Sequence, residues 1–179
     1  NAPKGATVRD VVLGGKATHE WARDAGIRAI FTGLFGCYQE ELFTRGFASL
    51  SGGERRRVGL AKLLIEDLDL ILLDEPTNHL DLPAIEWLES ELKSLSSALV
   101  MISHDRRFLE NLSRSTLWLD RGTTRLLDKG FAAFEDWRDT VLEEEERERH
   151  KLDRQIVREE HWVRYGVTAR RKRNVRRMS

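Results

Sequence analysis

The sequence predicts an α/β protein in which a helical segment precedes a parallel sheet and a long charged segment follows it. The aliphatic run "LDLILLDE" (68–75) is typical of a central strand buried on both faces of a parallel sheet, and "ALVMISHD" (98–105) predicts a second apolar strand. Each run ends in polar residues. The segment "AIEWLESELKSL" between them carries apolar residues at helical spacing, which completes a strand–helix–strand unit. The run "STLWLDRGTTRLL" then predicts a hairpin that turns at Asp120-Arg121-Gly122.

Residues 7–48 predict short helices separated by glycines, without a strand. "TVRDVVLGG" (7–15) predicts a first helix capped by Thr7, Thr18 can cap a second, and "CYQEELFTRG" (37–46) covers a third. This part of the chain is therefore expected to form an all-helical layer.

The stretch "LSGGERRRVGLAKLL" (50–64) predicts a helix from Glu54 to about Glu66, with apolar residues on one side and Arg55 to Arg57 able to reach solvent. A helix start leaves backbone N–H groups unpaired and carries partial positive charge, which suits an anion such as phosphate. The alternative is purely local: Ser51 caps the helix and the glycines form a turn.

Acidic residues and a histidine follow the two predicted strands. Because parallel strands end at the same edge of a sheet, Asp74, Glu75 and His104 are expected near the ligand-binding edge. An Asp there can hold Mg²⁺, a Glu can polarise a water, and a His can donate to a phosphate. Alternatively, Asp74 and Glu75 are simply a strand end that meets solvent, and His104 is a structural histidine. Asp81 can merely cap the next helix, and His79 is equally ambiguous.

Composition limits the classes of protein to which the chain can belong. No run approaches the roughly 20 apolar residues that span a bilayer. The start lacks the apolar segment of a signal peptide, and it also lacks Met, so we expect a piece of a longer protein. The lone Cys37 excludes an internal disulfide and a cysteine zinc site and fits a reducing compartment.

The net charge of zero conceals two regions of opposite sign. Residues 147–179 carry a net charge of +8 and the rest of the chain −8, which favours an arm that faces nucleic acid or another acidic surface. From Phe131 to about Arg164 the pattern predicts a solvated helix or an antiparallel arm. Trp162 and Tyr165 could stack on exposed bases. The basic residues expected to bind RNA phosphates are Arg170, Arg171, Lys172, Arg173, Arg176 and Arg177. A solvated basic tail with incidental aromatic residues is the alternative.

Four segments together resemble the ATP-binding cassette family. "LSGGE" (50–54) is similar to its signature loop, "LILLDE" (70–75) to its Walker B strand, "NHLD" (78–81) to its D-loop and "SHD" (103–105) to its switch-histidine segment. Their order and spacing also fit. "DEPTNHLD" and the glutamate of "LSGGE" are similar to class F, whose members are soluble twin cassettes that act on ribosomes.

The resemblance implies a partial P-loop NTPase fold in three regions. Residues 1–66 would be the helical subdomain with the signature helix, 67–130 the C-terminal part of the ATPase α/β core, and 131–179 a charged helical linker with a basic tail. The sequence contains no GxxxxGK[ST] phosphate loop. We therefore expect the chain to lack the phosphate-loop strand, to be inactive as an ATPase in isolation, and to leave apolar sheet surface uncovered.

The resemblance also implies roles for individual residues. Glu75 would be the catalytic base, His104 would assist it, Asp74 would hold Mg²⁺, and Asp81 would belong to the D-loop. In the family's head-to-tail sandwich, the residues that would contact the ATP held by the opposite cassette are Ser51, Gly52, Gly53 and Glu54.

The resemblance implies several partners and one location. The partner would be a second cassette of the same protein or a homodimer mate, with the ribosome or rRNA as target, no membrane domain, and a cytoplasmic location. The alternatives are an ATPase subunit of a transporter, which would dock a membrane partner on the helical layer, and a non-catalytic fragment that binds RNA or the ribosome.

Overall fold

The structure, a computed structural model, describes residues 5–14 and 25–166. The chain divides into two compact units, residues 1–113 and 114–179. The predicted second helix, capped by Thr18, and the basic residues from Arg170 to Arg177 lie outside the described residues.

The first unit begins with a layer of helices, as predicted for residues 7–48. Thr7 caps the first helix through a reciprocal pair of hydrogen bonds with Asp10, and Gly14 ends it in the left-handed conformation at φ 55°. The third predicted segment contains a single short helix. The bounds of the helices are α1 Val8–Leu13, α2 Ala25–Phe35, α3 Glu40–Thr44 and α4 Gly52–Ile65.

Aromatic rings fill the core of this layer. Phe31 of α2 lies 4.5 Å from the ring of Phe43, and both are almost fully buried. Gly33, two residues after Phe31, faces the indole of Trp87 so closely that a Cβ on the glycine would lie 2.0 Å from a ring atom. Only glycine therefore permits α2 to approach the helix that carries Trp87.

The predicted strand–helix–strand unit is present and continues the first unit. It consists of β1 Leu70–Asp74, α5 Leu82–Ser94 and β2 Ala98–Ile102, followed by α6 Arg106–Leu112. β1 and β2 pair in parallel, with Leu70 opposite Ala98 and Asp74 opposite Ile102. This register brings the residues that follow both strands to the same edge of the sheet.

The prediction that β1 is buried on both faces is wrong. Ile71 and Leu73 are buried, whereas Leu70 and Leu72 are exposed. Val100 and Ile102 extend the exposed apolar face across the neighbouring strand. The expectation of uncovered apolar sheet surface is confirmed, and the physical reason for both outcomes is that helices cover one face only.

The prediction that Arg55 to Arg57 all reach solvent is wrong for Arg57. The side chains of Arg55 and Arg56 are exposed, but the guanidinium of Arg57 donates to the backbone carbonyls of Leu34 and His79. The helix itself begins at Gly52, two residues before the predicted start. Helical spacing places Arg57 on the side of α4 that faces α2 rather than solvent.

The second unit joins the predicted hairpin to a long helix. Its elements are β3 Thr116–Asp120, β4 Thr123–Leu127 and α7 Phe134–His161. The antiparallel strands turn at Arg121 and Gly122, both at positive φ, as a two-residue hairpin requires. The ring of Trp118 lies 5.9 Å from that of Trp137, and Arg125 forms an ion pair with Glu145.

Helix α7 has no buried residue, which confirms the expectation of a solvated helix. A short π-helical turn, Trp162–Gly166, continues it. Within the described ranges, no helix has both the length and the apolar character needed to cross a membrane.

Candidate functional site

The first part of the site is the cap segment, residues 51–54, at the start of α4. Ser51 is the N-cap: its Oγ accepts from the backbone N–H of Glu54 at 3.2 Å, and the Glu54 carboxylate accepts from the backbone N–H of Ser51 at 2.7 Å. The local interpretation of Ser51 as a cap is thus confirmed. The hydroxyl hydrogen of Ser51 interacts with the Glu54 carboxylate and helps to lower its pKa, so a ligand would have to compete for this donor.

The glycines keep the cap segment open to solvent. A Cβ on Gly52 would meet no heavy atom within 4 Å, and Ser51 is exposed. A Cβ on Gly53 would lie 3.5 Å from the Cβ of His79, an ordinary contact. The helix start therefore has room for a ligand on the side of Ser51 and Gly52 and a protein wall on the side of Gly53.

Glu54 is held as an anion inside the cap segment. Its Oε2 accepts from Ser51, and its Oε1 lies 2.8 Å from Nη1 of Arg45. The backbone N–H of Ser51, its hydroxyl and Arg45 together lower the pKa of Glu54 from 4.5 to about 2. The carboxylate is consequently ionised across the physiological range.

The second part of the site is the strand-end cluster, which consists of Asp74, Glu75 and His104. The backbone N–H of His104 donates to Oε2 of Glu75 at 3.3 Å, and the Nε2 of His104 lies 3.6 Å from Oε1. Asp74 is exposed at the end of β1. The structure thus brings together the Glu and His that the sequence analysis placed at this edge.

The environment of Glu75 is unusual in two ways. Its backbone occupies the left-handed region at φ 48°, where side chains other than glycine are strained. Its side chain is only 20% exposed, and Oε1 is buried without a hydrogen-bond partner. Strain and an unsatisfied carboxylate oxygen at one residue are features that concentrate at functional sites.

A loop between β1 and α5 connects the strand-end cluster to the cap segment. Asp81 caps α5 by accepting from the backbone N–H of Ala84 at 3.2 Å. His79 is exposed, and its φ is 68°. Nε and Nη2 of Arg57 donate to the carbonyl of His79 at 3.2 and 2.7 Å. Asp81 therefore has the capping role that the local alternative gave it.

Sequence reasoning missed Arg45 and Arg57. Arg57 also donates to the carbonyl of Leu34 at 3.2 Å and lies over the ring of Phe35 at 5.9 Å, so it links α2, α4 and the loop before α5. The only signal in the sequence was its helical spacing, which separates it from Arg55 and Arg56. Nothing local pointed to Arg45, because its pairing with Glu54 depends on how α3 packs.

The cap segment and the strand-end cluster remain separate in the first unit. Among the described residues, no hydrogen bond or ion pair joins Ser51–Glu54 to Asp74, Glu75 or His104. His79 lies beside Gly53 of the cap segment, and Arg57 donates to the carbonyl of His79. The two parts can therefore contact two different ligands, and one shared ligand is not required.

The strand-end cluster fits Mg²⁺ only if a ligand supplies further oxygens. Within the described ranges, no group of three or more His, Cys, Asp or Glu side chains could hold a metal ion. Mg²⁺ is typically bound by one or two carboxylates together with phosphate oxygens and waters. The exposed carboxylate of Asp74 fits that pattern.

Known proteins share parts of this sequence and of this fold. The family described as ABC transporter matches residues 6–78, which include the helical layer, the cap segment and β1. The ATP-binding protein Uup of Caulobacter vibrioides is 46% identical over 70% of this chain and 21% of its own length. The energy-dependent translational throttle protein EttA of Mycobacterium tuberculosis is 42% identical over 73% of this chain and 23% of its own.

The chain thus spans about a fifth of the length of these two relatives. A solved structure of an archaeal ribosome recycling factor in complex with a ribosomal stalk protein is also similar. The match covers 70% of this chain and 25% of the chain in that structure. That match has a TM-score of 0.54 and 26% sequence identity. The chain is therefore part of an ATP-binding cassette ATPase domain, and its relatives at about 40–46% identity are class F proteins.

Proposed function

We propose that this chain belongs to a class F protein that binds ATP and Mg²⁺ between two cassettes, hydrolyses the ATP and acts on the ribosome in the cytoplasm. The observation that carries the proposal is the arrangement of Glu75 and His104. Oε2 of Glu75 accepts from the backbone N–H of His104. Oε1 is buried without a hydrogen-bond partner and lies 3.6 Å from Nε2 of the same histidine.

The anchored Oε2 and the unsatisfied Oε1 support Glu75 as the general base for hydrolysis. Once the side chain turns Oε1 out of its buried position, Oε1 would accept a proton from the attacking water as the water oxygen bonds to the γ-phosphorus. The bond from this phosphorus to the β–γ bridging oxygen breaks, and ADP leaves with the electron pair. His104, whose side chain is 97% exposed, can donate from Nε2 to the γ-phosphate or the water.

Asp74 is the residue that would hold Mg²⁺ beside Glu75. Bound Mg²⁺ neutralises charge on the β- and γ-phosphate oxygens. Asp74 is exposed at the C-terminal end of β1, whereas the side chain of Glu75, which follows it in the left-handed backbone region, is only 20% exposed. The two carboxylates therefore take different roles, one toward the metal and one toward the water.

The cap segment would serve a second nucleotide, bound to the opposite cassette. Ser51 would turn its hydroxyl hydrogen from the Glu54 carboxylate to the phosphate, and Gly52 and Gly53 would offer backbone N–H groups at the positive end of α4. The 179 residues contain no GxxxxGK[ST] loop, so another stretch of the protein or another copy must supply the phosphate cradle. ATP would then hold two cassettes together, and hydrolysis would let them separate.

The test is turnover by the full-length protein that contains this chain. Glu75→Gln is expected to lower kcat by about 10²- to 10⁴-fold, the contribution typical of a general base, while ATP still binds and the cassettes stay closed. Glu110→Gln, an exposed carboxylate on α6, is the matched control and should leave kcat unchanged. Normal turnover by Glu75→Gln would contradict the assignment.

The isolated chain provides a second test of the same proposal. It should show no measurable ATPase activity, because it lacks the lysine and glycine-rich backbone that bind the β- and γ-phosphates. Mg²⁺-dependent turnover by the isolated chain that Glu75→Gln abolishes would contradict this expectation.

A role on RNA is supported by one basic stripe on α7, although the helix as a whole carries 6 Arg and Lys against 11 Asp and Glu. Basic side chains at helical spacing form one exposed stripe, consisting of Arg147, Lys151, Arg154 and Arg158. Trp162 and Tyr165 beyond it are exposed by 61% and 64%. The name of the relative EttA states a role in translation. We therefore propose that residues 131–179 bind ribosomal RNA, including through the basic residues from Arg170 to Arg177.

The RNA role is tested by binding of ribosomes or rRNA at several salt concentrations. Affinity should fall as salt rises, with a slope proportional to the number of phosphate contacts. Removal of residues 166–179 should weaken binding and flatten this slope. Unchanged affinity and slope would contradict the proposed role of the basic end.

A further inference from the structure

Glu54 creates an electrostatic problem at the proposed nucleotide contact. Its carboxylate lies 2.7 Å from the backbone nitrogen of Ser51, within the cap segment that would approach a triphosphate. A negative charge at a helix start stabilises the helix, but it also opposes an incoming anion. A compensating cation is therefore needed if the segment is to attract phosphate.

Arg45 supplies that cation from a different element. Its Nη1 lies 2.8 Å from Oε1 of Glu54, and the two side chains are 44% and 33% exposed. The carbonyl of Arg45 accepts from the backbone N–H of Val8 at 3.0 Å, which ties the residue to the start of α1. The guanidinium is thus placed beside the cap segment by the backbone of the helical layer.

We propose that Arg45 is a positioning residue that neutralises Glu54 so that the cap segment can accept the triphosphate of the opposite cassette. The inference rests on the proposed function. Arg45 acts through Glu54, and no contact between its own side chain and the nucleotide is needed.

The ionisation of Glu54 does not depend on Arg45 alone. The hydrogen bond from the backbone of Ser51 is the largest cause of its lowered pKa, so the carboxylate stays charged when Arg45 is removed. In Arg45→Ala, a full negative charge would then remain beside Ser51. Glu54→Gln would keep an oxygen that accepts from the backbone N–H of Ser51 in the capping box but would remove the charge.

The size of the effect follows from Coulomb's law. At a separation of about 6 Å and an effective dielectric constant between about 20 and 80, one uncompensated charge changes anion affinity by roughly 3- to 100-fold. Half-exposed ion pairs contribute little to folding stability, so the melting temperature should scarcely move. An effect on ATP use without an effect on stability is what distinguishes the two roles of Arg45.

The experiment measures kcat, the ATP concentration for half-maximal turnover and the melting temperature of the full-length protein. Arg45→Ala should raise the half-maximal ATP concentration about tenfold and change kcat by less than about twofold. Relative to Arg45→Ala, the double variant Arg45→Ala/Glu54→Gln should lower the half-maximal ATP concentration by at least about threefold, because the repelling charge is gone. Arg56→Ala removes the same charge from an exposed position on α4 and should have no such effect.

Three results would overturn the proposal. The half-maximal ATP concentration could be the same in Arg45→Ala as in the parent, it could fail to fall in the double variant, or it could rise equally in Arg56→Ala.

A separate variant tests the proposed function itself. Gly52→Leu adds bulk where a Cβ meets open space, so it should block the cap segment without disturbing α4. If Gly52→Leu leaves turnover unchanged, the two-cassette function fails. If it abolishes turnover while Arg45→Ala is silent, only the role of Arg45 fails.

Discussion

Arg57→Ala removes the side chain that links three segments of the first unit. The parent guanidinium donates once to the carbonyl of Leu34, at 3.2 Å, and twice to that of His79, at 3.2 and 2.7 Å. Hydrogen bonds from a charged donor contribute about 1.5–3 kcal/mol each. Two of the three share one acceptor and are exposed, so we expect a total loss of about 2–3 kcal/mol.

The assay is amide hydrogen exchange of the loop between β1 and α5. The N–H of Asn78 donates to the carbonyl of Glu75 and that of Leu80 to Thr77, so both report on the loop directly. With 2–3 kcal/mol lost, both amides should exchange roughly 30- to 150-fold faster. Arg57→Lys keeps the charge but loses the fork of donors, and it should lie between the parent and Arg57→Ala.

Arg56→Ala is the matched control for this measurement, because its side chain is exposed on the same helix. It should leave the exchange of Asn78 and Leu80 unchanged. If Arg57→Ala exchanges no faster than Arg56→Ala, the inference that Arg57 holds the loop against α4 is refuted.

Three other predictions concern the stability of the chain. Gly33→Ala would place a Cβ 2.0 Å from the indole of Trp87, so it should destabilise the first unit by about 1–3 kcal/mol in urea denaturation. Gly59→Ala is the control: a Cβ at that position would meet no heavy atom within 4 Å and should not destabilise the unit. The pKa of Glu54 is about 2 in the folded chain against an ordinary value of 4.5, so the stability that this carboxylate contributes is complete above pH 4.5 and is lost as the pH falls toward 2. Glu54→Gln should therefore flatten the dependence of the urea midpoint on pH across this window. An unchanged slope would contradict the capping role. Arg125→Ala breaks the ion pair with Glu145 and the approach of Arg125 to Trp118, and it should loosen the first turns of α7 in hydrogen exchange, with Arg149→Ala, an exposed residue farther along the helix, as control.

Much of the local structure could be predicted because it depends on neighbours in sequence. Ser51 and Glu54 are three residues apart and form a capping box, which this spacing favours. The aliphatic run at 68–75 and the Asp120-Arg121-Gly122 turn also produced the expected strand and hairpin. The edge that gathers Glu75 and His104 followed from the rule that parallel strands end together.

The features that were not predicted depend on packing between distant segments. An aliphatic strand has the same pattern whether helices cover one face or both, so the exposure of Leu72 could not be read from it. Arg57 looks like its exposed neighbours in sequence, and its partners at Leu34 and His79 are more than 20 residues away. Gly33 resembles a helix breaker, yet in the structure it makes room for Trp87.

The most direct measurement of the central claim is a structure of the full-length Glu75→Gln protein with Mg²⁺ and ATP. The account predicts that Glu75 and Asp74 lie beside one nucleotide and that Ser51 donates its hydroxyl, at about 2.7–3.0 Å, to the γ-phosphate of another, bound by the opposite cassette. A structure in which Ser51 and Asp74 approach the same triphosphate, or in which Ser51 contacts no phosphate, would contradict it.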